Sequence, residues 1–213
     1  MPAATWTGRN AHAEKIAADI AAALGDELGL SEPPLAVGLS ADSTGVPAGS
    51  LLPPRERFSG MPAPTHCFVY VDAHLPRPFE LRAAVLGGRS GIRRHLGLGH
   101  LLYAVPLTPR VPSRVELGPV RGSDPAAFEG DAEAAHCLNR DVELVDLAHA
   151  LTPATAGPDR NHTWEVARRL TIDPLPQGSV LVVQTLHRPT ARAWSLGAHA
   201  VLDFAARAET ALG

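Results

Sequence analysis

A strand, a turn, a second strand and a helix can be recognised in residues 164–213, WEVARRLTIDPLPQGSVLVVQTLHRPTARAWSLGAHAVLDFAARAETALG. Apolar and polar residues alternate from Trp164 to Ile172, with Arg168 as the exception, which predicts a strand with one buried face. The sequence DPLPQG ends that strand because proline donates no hydrogen bond to a sheet. Residues 179–187 contain the unbroken run VLVV, which predicts a strand covered on both faces. The two strands are expected to form an antiparallel hairpin.

A helix is predicted after this hairpin. Ser195 is a good N-cap, because its hydroxyl can accept a hydrogen bond from a backbone N–H of the first turn. Beyond Ser195, apolar residues recur at helical spacing and most polar residues lie on the other side, which predicts an amphipathic helix with one buried face. The apolar residues are Leu196, Ala200, Val201, Phe204, Ala205, Ala208 and Leu212.

The remaining elements are predicted from the same kinds of signal. Asn10 is the expected N-cap of a helix over 11–28, and Gly29 is its expected C-terminal residue. Ser123-Asp124-Pro125 resembles a helix start, with the proline in the first turn. Strands are predicted over 35–41, 66–73, 101–107 and 114–117, and helices over 78–86, 131–138 and the residues after Asp141.

These elements predict a single α+β domain over residues 1–213. We expect a mostly antiparallel mixed sheet of about six strands, with four or five helices packed mainly on one face. The helices and strands follow one another irregularly, which argues against a doubly wound parallel sheet.

Composition limits the classes of function. The chain has 213 residues, a net charge of −3 and no block of like charge, so we expect no nucleic-acid partner. It contains no apolar run of about eighteen residues and no apolar signal-peptide core, so we expect no membrane partner and a cytoplasmic location. The sequence contains no cofactor-binding motif, so we expect no cofactor. Lys15 is the only lysine among 19 basic residues, which is typical of a GC-rich bacterial genome and weakens arginine clusters as evidence for anion binding.

The segment 42–65 is unusually rich in proline and glycine. It holds five prolines and three glycines, and loops of this length without regular structure are uncommon in compact domains. It also contains apolar residues, among them Leu51 and Phe58. Three interpretations are open for this segment: a disordered excursion, a lid over a site, or an arm that grips a partner subunit.

A second loop, 87–100, is rich in glycine and arginine. Glycine lets backbone N–H groups approach an anion, and arginine supplies bidentate donors, so Arg89, Arg93 and Arg94 are candidate ligand-binding residues. His95 and His100 are the candidate proton-transfer residues. The alternative is a surface turn whose arginines only reflect the composition of the chain, since neither phosphate-binding glycine motif is present.

The dipeptide His-Cys occurs twice. His66 with Cys67 and His136 with Cys137 would offer zinc two nitrogens and two sulfurs. Adjacent residues in a strand point to opposite faces, however, so His66 and Cys67 are poorly placed to bind one metal. The alternative is that both cysteines are packing residues, and no metal is expected.

Two tryptophans flank the predicted hairpin. Trp164 and Trp194 could line an apolar ligand pocket, with Arg188 and Arg192 at its mouth. Alternatively, the rings close the core at the ends of the sheet and the arginine stems pack over them.

Two functional hypotheses follow. The first is a bacterial accessory or assembly protein that acts by binding a protein partner, or another copy of itself in a homo-oligomer, through segment 42–65. The second is a small enzyme or binding protein for an anionic small molecule, using loop 87–100. No nucleophile motif of the hydrolase type and no metalloprotease motif is present, so the sequence does not decide whether the protein is an enzyme.

Overall fold

The computed structural model describes residues 11–39, 50–51, 65–71, 75, 77–85, 99–118, 127–151, 169–187 and 197–213. These residues form four helices and eight strands. In chain order the elements are α1 (Ala11–Leu28), β1 (Ala36–Leu39), β2 (Thr65–Val71), β3 (Phe79–Val85), β4 (Gly99–Leu107), β5 (Val115–Leu117), β6 (Phe128–Gly130), α2 (Ala132–Arg140), α3 (Val142–Leu151), β7 (Arg169–Pro174), β8 (Ser179–His187) and α4 (Ala198–Leu212).

The strands form one sheet in the order β1-β2-β3-β4-β8-β7-β5-β6, and every neighbouring pair is antiparallel. The predicted α+β class is confirmed, although the described residues contain eight strands rather than about six. The predicted hairpin of β7 and β8 is confirmed as well, and β8 also pairs along its whole length with β4. The C-terminal hairpin therefore lies in the middle of the sheet. The extent of a single domain over 1–213 stays a prediction.

One face of the sheet carries the helices. Side chains from all four helices and from alternate strand positions form one apolar core, which includes Leu24, Leu138, Leu144 and Phe204. Burial of this apolar surface is the main stabilising contribution to the fold. We call this side the helix-covered face, and it confirms the expectation that helices pack mainly on one side.

The opposite side of the sheet is also buried where β3, β4 and β8 form it, and we call this side the second face. Its apolar cluster consists of Leu102, Ala104, Val180 and Val182, against which Leu51 packs. Buried polar side chains lie on the same face, at alternate positions of β3 and β8. These are Glu80, Arg82 and Gln184. β8 is buried on both sides, as its continuous apolar run predicts.

The C-terminal helix α4 forms as predicted, but it does not begin where the sequence indicates. Its N-cap is Gly197, in the left-handed region at φ 70°, and not Ser195. The first backbone N–H, of Ala198, donates instead to the carboxylate of Glu27 at 2.6 Å. Glu27 belongs to α1, so this cap is supplied by a residue distant in sequence, which no local signal could reveal.

The predicted short helix over 78–86 is wrong, because these residues form β3. Phe79, Leu81 and Ala83 pack in the helix-covered core, whereas Glu80 and Arg82 are buried on the second face. This is the two-residue period of a strand. The strand β6 has no counterpart among the predicted elements, and β4 begins at Gly99, inside the predicted loop 87–100.

Helix α1 has the predicted bounds, and the chain turns at Gly29 with φ 64°, the left-handed conformation expected at a helix end. The next strand then passes very close to the start of the helix. A Cβ atom on Gly38 would lie 2.1 Å from backbone atoms of Ala13 and Glu14, so glycine is required where β1 crosses α1.

Other predicted features lie outside the described residues. They are the cap residue Asn10, the helix start at 123–125, the end residue Leu196 of the apolar stripe, and the part of the first C-terminal strand over 164–168. Within the described ranges, no helix is long and apolar enough to cross a membrane.

Candidate functional site

Strand termini line up at one end of the sheet. The first residues of β2 and β4 and the last residues of β3 and β8 are paired with one another in a single row across the sheet. The last residue of β1 lies one residue pair from that row. We call this the loop end of the sheet, and its residues are Leu39, Thr65, Val85, Gly99 and His187.

Chain segments outside the described residues begin or end at the loop end or beside it. Binding residues are often carried by connections that a rigid sheet brings together, so the loop end is the candidate site. The segments are 40–49, 52–64, 86–98 and 188–196.

Most of the predicted ligand-binding residues belong to these segments. Arg89, Arg93, Arg94 and His95 lie outside the described residues, in the connection between β3 and β4. Trp194 also lies outside them, in the segment that follows β8. Gly99, at the start of β4, pairs with the last residue of β8, so these two segments leave neighbouring strands. Their roles stay predictions.

The two His-Cys pairs occupy different elements. Cys67 of β2 is in register with Ala83, which lies in the helix-covered core, whereas His66 is in register with Ala84. The other pair is on α2, where His136 is exposed and Cys137 is a half-buried free thiol. Among the described residues, no group of three or more potential ligands could hold a metal ion. A zinc site made of both pairs was only the alternative to the expectation of no metal, and the structure does not test it.

A polar cluster that the sequence did not predict lies on the second face. We call it the Glu80 cluster, and it comprises Ser50, Tyr70, Glu80 and Arg82. Glu80 and Arg82 are each only 1% exposed, and Arg82 Nε donates to Glu80 Oε1 at 2.6 Å. A charge so deeply buried is costly unless it is paired, and here each charge is neutralised by the other.

Ser50 connects the members of this cluster. Its hydroxyl donates to Glu80 Oε2 at 2.7 Å and accepts from an Arg82 Nη2 donor at 2.9 Å. The backbone N–H of Leu51 donates to the same Glu80 oxygen at 2.8 Å. The carboxylate thus accepts three hydrogen bonds, two of them from residues 50–51. The ion pair therefore fastens this point of the Pro/Gly-rich segment to the sheet.

Tyr70 lies next to this ion pair. Burial, and then the negative charge of Glu80, raise the pKa of Tyr70 to about 12, while a hydrogen bond with Ser50 and the charge of Arg82 oppose the shift. The phenol therefore stays protonated at neutral pH and acts as a hydrogen-bond donor or acceptor rather than as a base.

The contacts of Ser50 and Leu51 bear on the three interpretations of segment 42–65. Both residues bind the protein's own sheet, and Leu51 packs against the apolar cluster of the second face. Residues 50–51 of the segment therefore lie against the second face of the sheet and cover it there. The residues on either side, 42–49 and 52–64, lie outside the described residues.

A second feature is an open cleft of about 540 Å³ where the junction of α2 and α3 meets α4. Arg207 of α4 forms two hydrogen bonds with Asp141, at 2.6 and 2.7 Å, and also contacts Glu143. Val142 lines the cleft and is 70% exposed. The other lining residues are Cys137, Arg140, Thr210 and Ala211.

Asp141 has two structural roles in this cleft. Its carboxylate accepts a hydrogen bond from the backbone N–H of Leu144 at 3.1 Å, and so it caps α3. The hydrogen bonds from Arg207 hold the pKa of Asp141 below its ordinary value, and the same contact raises the pKa of Arg207. Both charges are therefore retained at neutral pH, and they join α3 to α4.

One signal in the sequence could have revealed the Glu80 cluster. In a strand, residues two apart share a face, so the pattern Phe79-Glu80-Leu81-Arg82-Ala83 places a carboxylate and a guanidinium side by side. In the helix predicted over 78–86, residues two apart would not share a face, so that prediction did not reveal the pair. The part played by Ser50 could not be predicted, because it lies 30 residues away from Glu80.

No protein-family model, curated protein or solved structure matches this chain. The functional conclusion therefore rests on the residues and geometry given above.

Proposed function

We propose that the protein binds an anionic small molecule at the loop end of the sheet. The observation that supports this proposal is the common row of strand termini, Thr65, Val85, Gly99 and His187, on four neighbouring strands. The glycine- and arginine-rich connection and the segment with Trp194 both start from this row. A rigid sheet that carries several long connections at one end is a common arrangement for small-molecule sites.

The chemistry of the connection between β3 and β4 favours an anionic ligand. Residues 87–94, GGRSGIRR, combine glycines, which let backbone N–H groups approach an anion, with three arginines, which form paired hydrogen bonds to carboxylate or phosphate. His95 and His100 would handle a proton if the ligand is also a substrate. The Glu80 cluster would support the site by fixing residues 50–51 over the same sheet.

Native mass spectrometry of protein purified without a chelator tests this proposal. We expect a retained anionic mass, or an adduct when inorganic phosphate is added. The variant Arg93→Ala should lose that mass while its melting temperature stays unchanged. Arg110→Ala, at an exposed position in the β4–β5 connection, is the matched control and should keep the mass. Equal retention by Arg93→Ala and the parent protein would exclude the role of Arg93, and no adduct at any phosphate concentration would exclude anion binding.

The cleft beside α4 favours a second candidate, in which the protein is an accessory or assembly protein that binds a partner or another copy of itself. Val142 is an exposed apolar side chain at the edge of this cleft, and exposed apolar groups beside polar ones are common in interfaces.

A bacterial origin and a cytoplasmic location, expected from composition, belong to the same proposal. Cell fractionation with an antibody against the protein would test the location.

Sedimentation velocity tests self-association at this cleft. If the cleft is an interface, Val142→Asp should convert an oligomer into a smaller species. Leu35→Asp is the matched control, because Leu35 is 64% exposed but lies beside β1, on a different part of the surface. A parent protein that sediments as a monomer, or an equal effect of both variants, would count against the cleft as a self-association surface.

A further inference from the structure

We infer that the cleft beside α4 is a two-fold interface between copies of this chain. In this interface Val142 of each copy enters the cleft of the other, and Arg140 of each copy pairs with Glu143 of the other. The interface rests on the second candidate function, self-association at this cleft, and deepens it by specifying the partner and the contacts. The loop end of the sheet takes no part in it.

The cleft offers both a hollow and a side chain that can fill it. Its volume is about 540 Å³, and Ala211 and the half-buried thiol of Cys137 are among its apolar lining. Val142 lines the same cleft at the first position of α3, and it is 70% exposed. Clefts of this size hold whole small molecules, so there is room for a valine side chain together with its longer neighbours.

The charged residues of the cleft are unequally engaged. Arg207 is held by two hydrogen bonds with Asp141. Glu143 contacts the same arginine, yet its side chain is 75% exposed. Within the part of the chain that the structure describes, the side chain of Arg140 forms no hydrogen bond or ion pair, although it lines the cleft. Each copy therefore presents an unengaged cation shortly before Val142 in the sequence and a largely exposed anion directly after it.

This distribution of charge favours a second copy as the occupant. The cleft is lined by two arginines and two carboxylates, so its formal charges cancel. A surface of one sign repels a second copy, whereas a balanced surface can be complementary to itself. In a two-fold interface every contact occurs twice with the roles of the copies exchanged. A contact of Arg140 with Glu143 is therefore always accompanied by a second one.

The apolar and the charged contacts have different roles in this interface. Burial of Val142 in each cleft removes apolar surface from water and supplies the attraction. Ion pairs at an exposed rim contribute little to the affinity, but like charges placed together are unfavourable and exclude other arrangements. Reversal of one charge should therefore weaken the dimer, and reversal of its partner should restore it.

Native mass spectrometry and sedimentation velocity of the full chain test the interface. Arg140→Glu places two carboxylates at each contact, and Glu143→Arg places two guanidinium groups there. Each variant alone should raise the dimer dissociation constant by about tenfold or more, because two attractive pairs become repulsive. In an equimolar mixture, one copy of each variant meets opposite charges at both contacts. The mixed dimer, identified by its mass, should form as readily as the parent dimer.

Controls separate the interface from general effects of charge and folding. Arg110→Glu and Glu32→Arg reverse exposed charges outside the cleft and should dimerise like the parent. Glu143→Arg also loses the contact with Arg207 of its own chain, so its melting temperature must be measured. Arg140→Glu breaks no such contact. Its weakened dimer should be partly restored by high salt, which screens the new repulsion, and this result does not depend on the folding of the other variant.

The outcomes distinguish this arrangement from the candidate function on which it rests. A parent that is monomeric at every concentration, or a dimer that no variant weakens, would overturn both and leave the cleft to an unlike protein or a small molecule. If Val142→Asp dissociates the parent dimer but the charge variants associate normally, self-association at the cleft stands and the two-fold pairing is wrong. Folded variants that fail to associate when mixed have the same meaning. Anion binding at the loop end is unaffected by any of these results.

Discussion

Both faces of the sheet are buried over β3, β4 and β8, but they are stabilised differently. On the helix-covered face, the contacts are apolar and come from all four helices, with Phe204 and Leu24 fully buried. On the second face, a small apolar cluster lies beside the Glu80–Arg82 ion pair, which is tied to Ser50. Burial of apolar surface is favourable wherever it occurs, whereas a buried ion pair stabilises only while every partner is present. The helix-covered face therefore holds the fold together, and the second face fixes the position of one connecting segment.

The largest effect is expected on the helix-covered face. Phe204 is fully buried in α4, and its ring lies 6.3 Å from that of Phe128. We expect Phe204→Ala to lower the free energy of unfolding by about 3–5 kcal/mol, because it leaves a cavity in the core. Chemical denaturation followed by circular dichroism measures the change. Asp203→Ala, at the neighbouring exposed position, is the control. A denaturation midpoint equal to that of the parent would contradict the place assigned to Phe204.

The second prediction concerns the second face. Arg82→Met removes one partner of the buried pair and should cost about 3 kcal/mol, because Glu80 is left as an unpaired buried charge. Combining it with Glu80→Leu removes the unpaired charge and should restore most of the loss. The comparison of single and double variants by chemical denaturation separates charge pairing from simple loss of volume. A double variant as unstable as Arg82→Met would mean that the cost arises from packing.

A third prediction concerns the start of α4. Glu27→Ala removes the carboxylate that accepts a hydrogen bond from the backbone N–H of Ala198, and the loss should be about 1 kcal/mol, typical of a helix cap. Glu32→Ala, at an exposed position after α1, should leave the stability unchanged. Hydrogen exchange at the first turn of α4 should rise in Glu27→Ala only. Equal exchange in the two variants would show that Glu27 does not act as the cap.

The fourth prediction concerns an effect that appears only at alkaline pH. Burial raises the pKa of Tyr70 from 10.0 to about 12 on the second face, and it raises the pKa of Tyr103 well above 10.0 on the helix-covered face. The folded state thus favours the neutral phenols. Their contribution to stability is complete below pH 10 and decreases above it, because the unfolded chain ionises first, and for Tyr70 the decrease ends near pH 12.

Phenolate absorbance and denaturation at increasing pH measure this effect. Tyr70→Phe should make the alkaline loss of stability shallower, and the remaining tyrosine of that variant should not ionise before the protein unfolds. A native protein in which both tyrosines ionise near pH 10 would contradict the burial of both rings.

Local patterns predicted a substantial part of this fold. The period of two in β7, the apolar run in β8 and the stripe in α4 each follow from which side chains a single element must bury. These patterns failed in β3, where a helix is predicted over 78–86 although apolar and charged residues alternate from Phe79 to Ala83. They also failed at Ser195, because the cap of α4 is a side chain of α1.

The candidate site was predictable only in part. The sequence singled out His66, His100 and the arginines of loop 87–100, because these residue types have recognisable chemistry. It did not indicate that the termini of β2, β3, β4 and β8 lie in one row, since register depends on which strands become neighbours. Nor did it indicate that Ser50 would bind Glu80 and Arg82.

The sequence by itself determined the class of fold, the bounds of α1, the C-terminal hairpin and the amphipathic helix after it. Each of these depends on hydrophobic periodicity and turn residues within a few positions of one another. Only the tertiary structure decided the strand order, the burial of the Glu80–Arg82 pair and the cap from Glu27. These features depend on contacts between residues far apart in the chain, and such contacts form only when the whole sheet assembles.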